Sequence, residues 1–337
     1  MNGPIITNKK VDMHLEMTPA WDKVFPRNEK VEHEKIEFHN RYGIWLAADL
    51  YKPQNTDKNT KHAAIAMCGP FGAVKEQSSG LYAQELASRG FLTIAFDPSF
   101  TGESSGIPRY MASPDINTED FMAAVDYLSN RDDVDPERIG ILGVCGWGGM
   151  AVNAAAIDPR IKATVASTMY NMSRIAAKGY FDEEDTEADR MEQRRQFAAA
   201  RTEDYGAQTY PRIGGVVDPV PEDAPEFIWQ YHAYYKTPRG YHPRSLNSNT
   251  GWNNIGTQSF LNQPLCCYAN EIENAVMIAH GTKAHSFYMG KDTYDQLKGD
   301  NKIFVPVEGA THCDLYDNYE FIPFEKIQDF FDTYLKF

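Results

Sequence analysis

The chain has 337 residues, of which 42% are apolar, 24% charged and 12% aromatic, with 47 acidic against 33 basic side chains and a formal net charge of −14. Such a composition belongs to a water-soluble globular protein and excludes disordered, collagenous and coiled-coil chains. The acidic surplus repels phosphate backbones and anionic lipid, which argues against nucleic acid or a membrane surface as partner. No apolar run approaches the ~18–20 residues of a membrane span, and the first residues lack the apolar core of a secretory signal, so a cytoplasmic chain is expected. The length suits one large α/β domain with an inserted segment as well as it suits two domains, alone or self-associated.

The first thirty residues are polar and irregular and read as an N-terminal extension. Residues 31–38 and 44–51 carry strand patterning around a turn at Asn40 to Gly43 and predict an antiparallel hairpin ending at Pro53. A short apolar run at 63–67 enters a glycine-rich loop, Cys68 to Gly72, and then a helical stretch over 77–89. These are the parts of a βαβ unit. A buried strand over 91–96 is followed by a loop containing Gly102-Glu103-Ser104-Ser105-Gly106, a helix over 118–130, a strand over 139–143, a helix from about Gly148 and a strand over 163–167. Continuous apolar strands alternating with amphipathic helices predict a mostly parallel, doubly wound sheet with helices on both faces.

Strand patterning then lapses. Residues 171–264 offer a charged helical segment over 182–201 and an aromatic segment that includes Trp229 and Tyr234; buried strands resume at 275–281 and 303–307, before a last helix over 323–334. The expected organisation is therefore a sheet core over 31–170 and 265–337, with a helical cap inserted at 171–264.

The five cysteines, Cys68, Cys145, Cys266, Cys267 and Cys313, lack zinc or redox spacing and form no disulfide framework. Cys145 stands apart. It sits in Gly143-Val144-Cys145-Gly146-Trp147-Gly148-Gly149, between a buried strand and a helix rich in small residues. A residue on a sharp strand-to-helix turn needs small neighbours because its backbone is strained, a need met here by Gly143 but not by Trp147. A helix N-terminus stabilises thiolate, which favours Cys145 as a nucleophile. The candidate base is His312, in Gly309-Ala310-Thr311-His312 after the last strand, with His280 and His285 as alternatives. The oxyanion donors expected are the amides of Gly146 and, because Pro70 has no N–H, of Phe71. No glycine-rich phosphate loop follows the first parallel strand, and no His, Asp and Glu cluster has metal spacing, so neither cofactor nor metal is expected.

These features resemble the α/β-hydrolase superfamily, and within it dienelactone-hydrolase-like enzymes whose nucleophile is a cysteine on the elbow. The resemblance rests on the Cys145 elbow, the Gly69 to Gly72 loop, the Asp97 to Gly106 loop and Gly309 to His312, and covers roughly residues 31–170 and 265–337. It implies an α/β-hydrolase fold with the nucleophile before the cap and His312 after it. The family's usual acid lies three residues after the glycine closing the penultimate strand, where Gly281-Thr282-Lys283-Ala284 places an alanine. Asn171, at the superfamily's alternative acid position, could orient His312 through its amide oxygen, with Asp292 and Asp314 as further candidates. Glu103 is a candidate for the glutamate that, in such enzymes, responds to the nucleophile's protonation state.

The implied activity is cofactor-independent cleavage of an ester, lactone or thioester through an S-acyl enzyme on Cys145, the substrate being a small acyl compound. The expected pocket uses Trp147, Tyr170, Trp229 and Tyr234. Two other readings remain open: acyl transfer on the same fold, and a non-catalytic binding protein, which the missing acid would suit.

Overall fold

In the computed structural model, which describes residues 14–54 and 60–335, the chain enters a sheet through the antiparallel pair β1 (Val31–His39) and β2 (Trp45–Pro53). The Asn40 side chain turns the hairpin by accepting from the N–H groups of Tyr42 and Ile44 at 3.0 and 3.1 Å. There follow β3 (His62–Cys68), α1 (Ser78–Ser88), β4 (Leu92–Phe96), α2 (Pro114–Ser129), β5 (Val134–Val144), α3 (Gly146–Ala155) and β6 (Ile161–Ser167). Every residue of β3 and β4 is buried, as strands covered on both faces require. Helix α2 begins a turn earlier than the period of Phe121, Val125 and Leu128 suggests. Pro114 supplies a pre-set φ at its first position, and the Asn117 amide oxygen accepts from the Ser113 N–H at 2.9 Å.

Between Ser167 and Ala275 the chain leaves the main sheet. This stretch holds α4 (Met172–Lys178), α5 (Glu187–Ala207), β7 (Arg212–Ile213), α6 (Glu226–Tyr235) and β8 (Trp252–Asn253), with β7 and β8 forming a two-stranded ladder of their own. Helix α5 buries only Asp204, so it is a solvated arm capped by Thr186 Oγ1, which accepts from the Asp189 N–H. The aromatic segment contains a helix, α6, that strand and helix periods do not announce. The sheet resumes with β9 (Ala275–Gly281), α7 (Phe287–Gln296), β10 (Lys302–Val307), the short α8 (Asp314–Asp317) and α9 (Phe324–Leu335). Helix α9 packs Phe324, Ile327, Phe331 and Leu335 inward at helical spacing.

The strands lie in the order β1-β2-β4-β3-β5-β6-β9-β10; β2 runs antiparallel to β1 and β4, and the rest are parallel. The strand order reverses around β3, so the loops after the carboxyl ends of β3, β5, β6 and β9 converge on one rim, where such folds place their sites.

One buried charge cluster locks that rim. The Lys75 ammonium lies 2.7 Å from Glu76, 2.8 Å from Asp97 and 2.7 Å from Glu103, and its side chain is wholly enclosed. It occupies the centre where three converging carboxylates could otherwise hold a cation. Lys35 reaches Glu103 at 2.8 Å and Arg244 reaches Glu76 at 2.7 Å. The N-terminal segment closes over the cluster: the Thr18 N–H donates to Glu103 at 2.7 Å, and buried Lys23 pairs with Asp49 at 3.0 Å. Burial alone would raise the Glu103 carboxyl, but Lys75 and Lys35 outweigh it and hold it at about 2.

Removing one partner of a buried pair leaves uncompensated charge and costs about 3–5 kcal/mol. Lys75→Met is expected to lose that much in urea unfolding at pH 7. Because Glu103 titrates lower when folded than its ordinary 4.5, its contribution is complete above pH 4.5 and is lost as the pH falls toward 2. Wild-type stability should fall across that window and the Lys75→Met profile should fall less; parallel profiles would contradict the assignment.

Candidate active site

Strand β5 ends in a turn in which Cys145 has φ 60° and ψ −127°, a region that costs a side-chain-bearing residue of order 1–3 kcal/mol. Three backbone bonds hold it there: its N–H donates to the Ser167 carbonyl at 3.0 Å, and its own carbonyl accepts from Gly148 and Tyr170, both at 2.9 Å. A Cβ on Gly143 would overlap the Trp147 carbonyl, which explains the small residue two positions before Cys145. The side chain two positions after it is tolerated because Trp147 turns to the opposite face of the sheet, buried against Phe96 and Phe121 with ring centroids 5.9 and 5.5 Å away. The close approach falls instead on Gly148, where a Cβ would stand 2.5 Å from that of Met169.

The Phe71 and Gly146 amides and the Tyr316 hydroxyl are all in hydrogen-bond contact with the Cys145 sulfur. Burial nonetheless dominates and pushes the thiol above its ordinary value, with the three contacts offsetting only part of the rise. Burial at this turn therefore works against the thiolate that a helix N-terminus would favour. The loop carrying Phe71 is gripped from the segment after α6: Asn247 Nδ2 donates to the Phe71 carbonyl at 2.8 Å, and the Asn247 N–H and Ser245 hydroxyl donate to the Gly72 carbonyl.

His312 is fully buried. Its Nε2 lies 3.0 Å from the Tyr316 hydroxyl, and its Nδ1 lies 2.6 Å from Ser286 Oγ and 3.0 Å from Thr168 Oγ1. The path from thiol to imidazole thus runs Cys145, Tyr316, His312, with hydroxyls rather than a carboxylate behind the ring. Burial, reinforced by His285 and His280, holds the His312 imidazole well below its usual range. His280 Nε2 faces the Met169 carbonyl at 3.3 Å, and burial lowers its ring to about 4. His285 hydrogen-bonds the Tyr170 hydroxyl, stacks on Phe227 at 4.0 Å, and is lowered by burial to about 3.

The acid candidates lie elsewhere. Asn171 caps α4, its Oδ1 accepting from the Arg174 N–H at 3.0 Å and its Nδ2 donating to the Leu265 carbonyl. Asp292 pairs with Arg174 at 2.8 Å, and Asp314 Oδ2 accepts from the Thr311 N–H. Glu103 belongs to the Lys75 cluster rather than to the thiol. A cavity of about 210 Å³ opens over Cys145, walled by Phe71, Tyr170, Ile175, Tyr231, Asn247 and Tyr316 among others. Of the expected pocket residues only Tyr170 lines it. Trp229 points to solvent, 45% exposed, because α6 turns Ile228 and Tyr231 inward one helical turn apart, while Tyr234 is enclosed behind the wall against Tyr235 and Tyr316. Tyr316, Ser286, Thr168 and Asn247 were not anticipated from sequence; the one available signal was Tyr316, one helical turn after His312. Among the described residues no helix is long and apolar enough to cross a membrane.

A strained strand-to-helix turn on a doubly wound sheet, with a histidine after the last strand, is the arrangement of the α/β-hydrolase superfamily. The model of the X-Pro dipeptidyl-peptidase (S15) family matches residues 42–313, and the chain belongs to that family. It is similar to the uncharacterized protein PA2218 of Pseudomonas aeruginosa, 50% identical over 325 residues that cover 96% of this chain and 86% of that one. The crystal structure of PA2218 superposes with a TM-score of 0.93 over 96% of this chain and all of that chain. The uncharacterized Escherichia coli protein YcjY is 35% identical over 86% of this chain and 94% of its own. Shorter matches, each 32% identical, join it to thiohydrolase aneE of Aspergillus aculeatus (41% of this chain, 42% of that one) and acyltransferase drtE of Aspergillus calidoustus (44% and 51%). The α/β hydrolase GrgF from Penicillium, 18% identical, shares the fold with a TM-score of 0.68 over 91% of this chain and all of that chain.

If burial sets the state of the thiol, alkylation of Cys145 by iodoacetamide at pH 7 should lag that of exposed Cys267 and rise only above pH 9, and Tyr316→Phe should displace the rise further upward. Peptide mass mapping across pH reads this; a Cys145 midpoint below 7 would contradict it.

Proposed function

We propose that the protein is a cofactor-independent hydrolase that cleaves an ester, lactone or thioester through an S-acyl enzyme on Cys145, in the manner of dienelactone-hydrolase-like enzymes with a cysteine nucleophile. The observation that carries the proposal is the thiol at the strained elbow, facing the Phe71 and Gly146 amides under a mostly apolar cavity. When a substrate carbonyl enters, its oxygen takes over the two amides, which suit the developing oxyanion. The thiol proton passes through the Tyr316 hydroxyl to His312 Nε2 as sulfur attacks. With the imidazole proton on Nδ1, shared with the Ser286 and Thr168 hydroxyls, Nε2 is free to take the thiol proton.

The cavity wall bears phenols, an amide and apolar side chains but neither a carboxylate nor a cationic group. It therefore favours an uncharged acyl group over a free amino-terminal peptide, whose ammonium would want a buried acid. Similarity to a thiohydrolase and to an acyltransferase supports acyl chemistry on this fold. The second of these keeps transfer as the alternative fate of the same S-acyl enzyme, with an acceptor other than water.

Exposure to p-nitrophenyl butyrate followed by rapid quenching should show a butyryl adduct on the Cys145 peptide, absent in Cys145→Ala. His312→Ala should lower turnover by roughly 10²–10⁴-fold, the range of positioned proton transfer, Ser286→Ala by about tenfold, and Asn171→Ala by less than threefold. Unchanged nitrophenol release in Cys145→Ala would remove the proposal.

A further inference from the structure

Resting on the reading of Cys145 as nucleophile, we infer that the site is built for oxygen esters or lactones in preference to thioesters, with Tyr170 as the acid that protonates the leaving oxygen. A departing thiolate, with an ordinary pKa near 8.5, needs no proton to leave. A departing alkoxide is about as basic as hydroxide, the conjugate base of an acid of pKa ~15.7, and does need one. His312 is badly placed to supply it. Its Nε2 is engaged with Tyr316 and its ring is fully buried.

Tyr170 lines the same cavity as Cys145 and belongs to a second proton-bearing set, independent of the first. Its hydroxyl contacts His285 Nε2 and lies 2.9 Å from the Tyr231 hydroxyl, which is itself on the cavity wall. The state of His285 decides what Tyr170 can do. His285 Nδ1 is buried with no partner among the described residues. An orphaned buried N–H is rarer and costlier than an orphaned lone pair, so the proton belongs on Nε2. The Nε2–H then donates to the Tyr170 oxygen, and the Tyr170 O–H is directed to Tyr231 at rest and to a substrate oxygen when one is present. Phe227, stacked on the imidazole at 4.0 Å, holds the ring in that orientation.

The step balances. The bond from Cys145 sulfur to the acyl carbon forms, the carbon–oxygen bond breaks, and the leaving oxygen takes the Tyr170 proton. The phenolate left behind is held by His285 Nε2–H and the Tyr231 O–H. It regains a proton from the water that attacks the S-acyl carbon, while the departing sulfur recovers, through Tyr316, the proton lodged on His312. His285 touches only Tyr170 in this scheme and is a positioning residue.

A matched pair, ethyl butyrate and S-ethyl thiobutyrate, separates this role from a structural one because the acyl group is the same. In Tyr170→Phe, kcat/KM for the oxygen ester should fall about 10²-fold, as loss of a general acid implies, and by at least ten times more than for the thioester. His285→Leu, tested in case the first variant folds poorly, should show the same bias at smaller size. Equal losses on both probes would overturn the Tyr170 assignment while leaving Cys145 chemistry intact. Absence of a Cys145 adduct from either probe in the wild-type protein would instead overturn the nucleophile and this inference with it.

Discussion

The positive φ of Cys145 is the constraint on which the rest of the site depends. A strained residue persists only where its surroundings over-determine it, and here β6 and the segment after it provide two of the three backbone bonds, through Ser167 and Tyr170. The Tyr170 N–H that holds the Cys145 carbonyl also sets the start of that residue's side chain toward the cavity. Thr168, two residues earlier, is itself at φ 44° and reaches His312 Nδ1. One turn after β6 thus fixes Cys145, presents a hydroxyl to His312 and places a phenol on the cavity wall. The glycine contacts at Gly143, Gly148 and Gly149 are the steric counterpart, since each lets the turn and α3 approach backbone or Cβ atoms more closely than any side chain allows.

A histidine backed by hydroxyls works differently from one backed by a carboxylate. Burial lowers His312, His285 and His280 alike, which favours the neutral form of each imidazole. A serine nucleophile, far less acidic than a thiol, would need the imidazolium strongly stabilised. A thiol surrenders its proton more readily, so a smaller stabilisation suffices. In the proposed mechanism the tyrosines supply what a carboxylate does not, namely short proton steps between groups already in hydrogen-bond contact, in a setting dry enough that each bond counts for more than it would in water.

How legible this was in the sequence varied with the range of the interaction. The sheet was legible because parallel strands buried on both faces read as unbroken apolar runs, as in Ala64-Ile65-Ala66-Met67, and the elbow was legible because its glycines are local. The orienter of His312 was not. Ser286 and Thr168 lie 26 and 144 residues from it, and nothing in a serine or threonine's neighbours reveals that distance closing. Asn171 was read as an orienter from its position after β6, but an asparagine directly before a helix is a good N-cap, and that local demand won. Trp229 and Tyr234 show the same limit. Aromatic content marked the segment, whereas the rotation of α6 decides what faces the cavity, and it is seen only in the packing of Tyr234 and Tyr235 against Tyr316.

The Lys75 cluster ties this site to the N-terminal segment. Lys75 stands four residues after Phe71, and its N–H donates to Asp97 at 2.8 Å while its ammonium binds the same carboxylate. Arg244, three residues before Asn247, joins the cluster through Glu76 and pairs with Asp22 of the N-terminal segment at 2.8 Å. The loop carrying Phe71 is therefore held at Phe71 by Asn247 and at Lys75 by buried charge, and both holds share the segment after α6. Replacing a buried ion cluster by apolar side chains is often neutral or stabilising, so net stability is a weak reason for so many charges to converge here. Directionality is the stronger one. Each ion pair accepts few geometries, and together they leave the Phe71 amide little freedom to turn away from the sulfur, which is what an oxyanion donor must avoid if it is to act without reorganising.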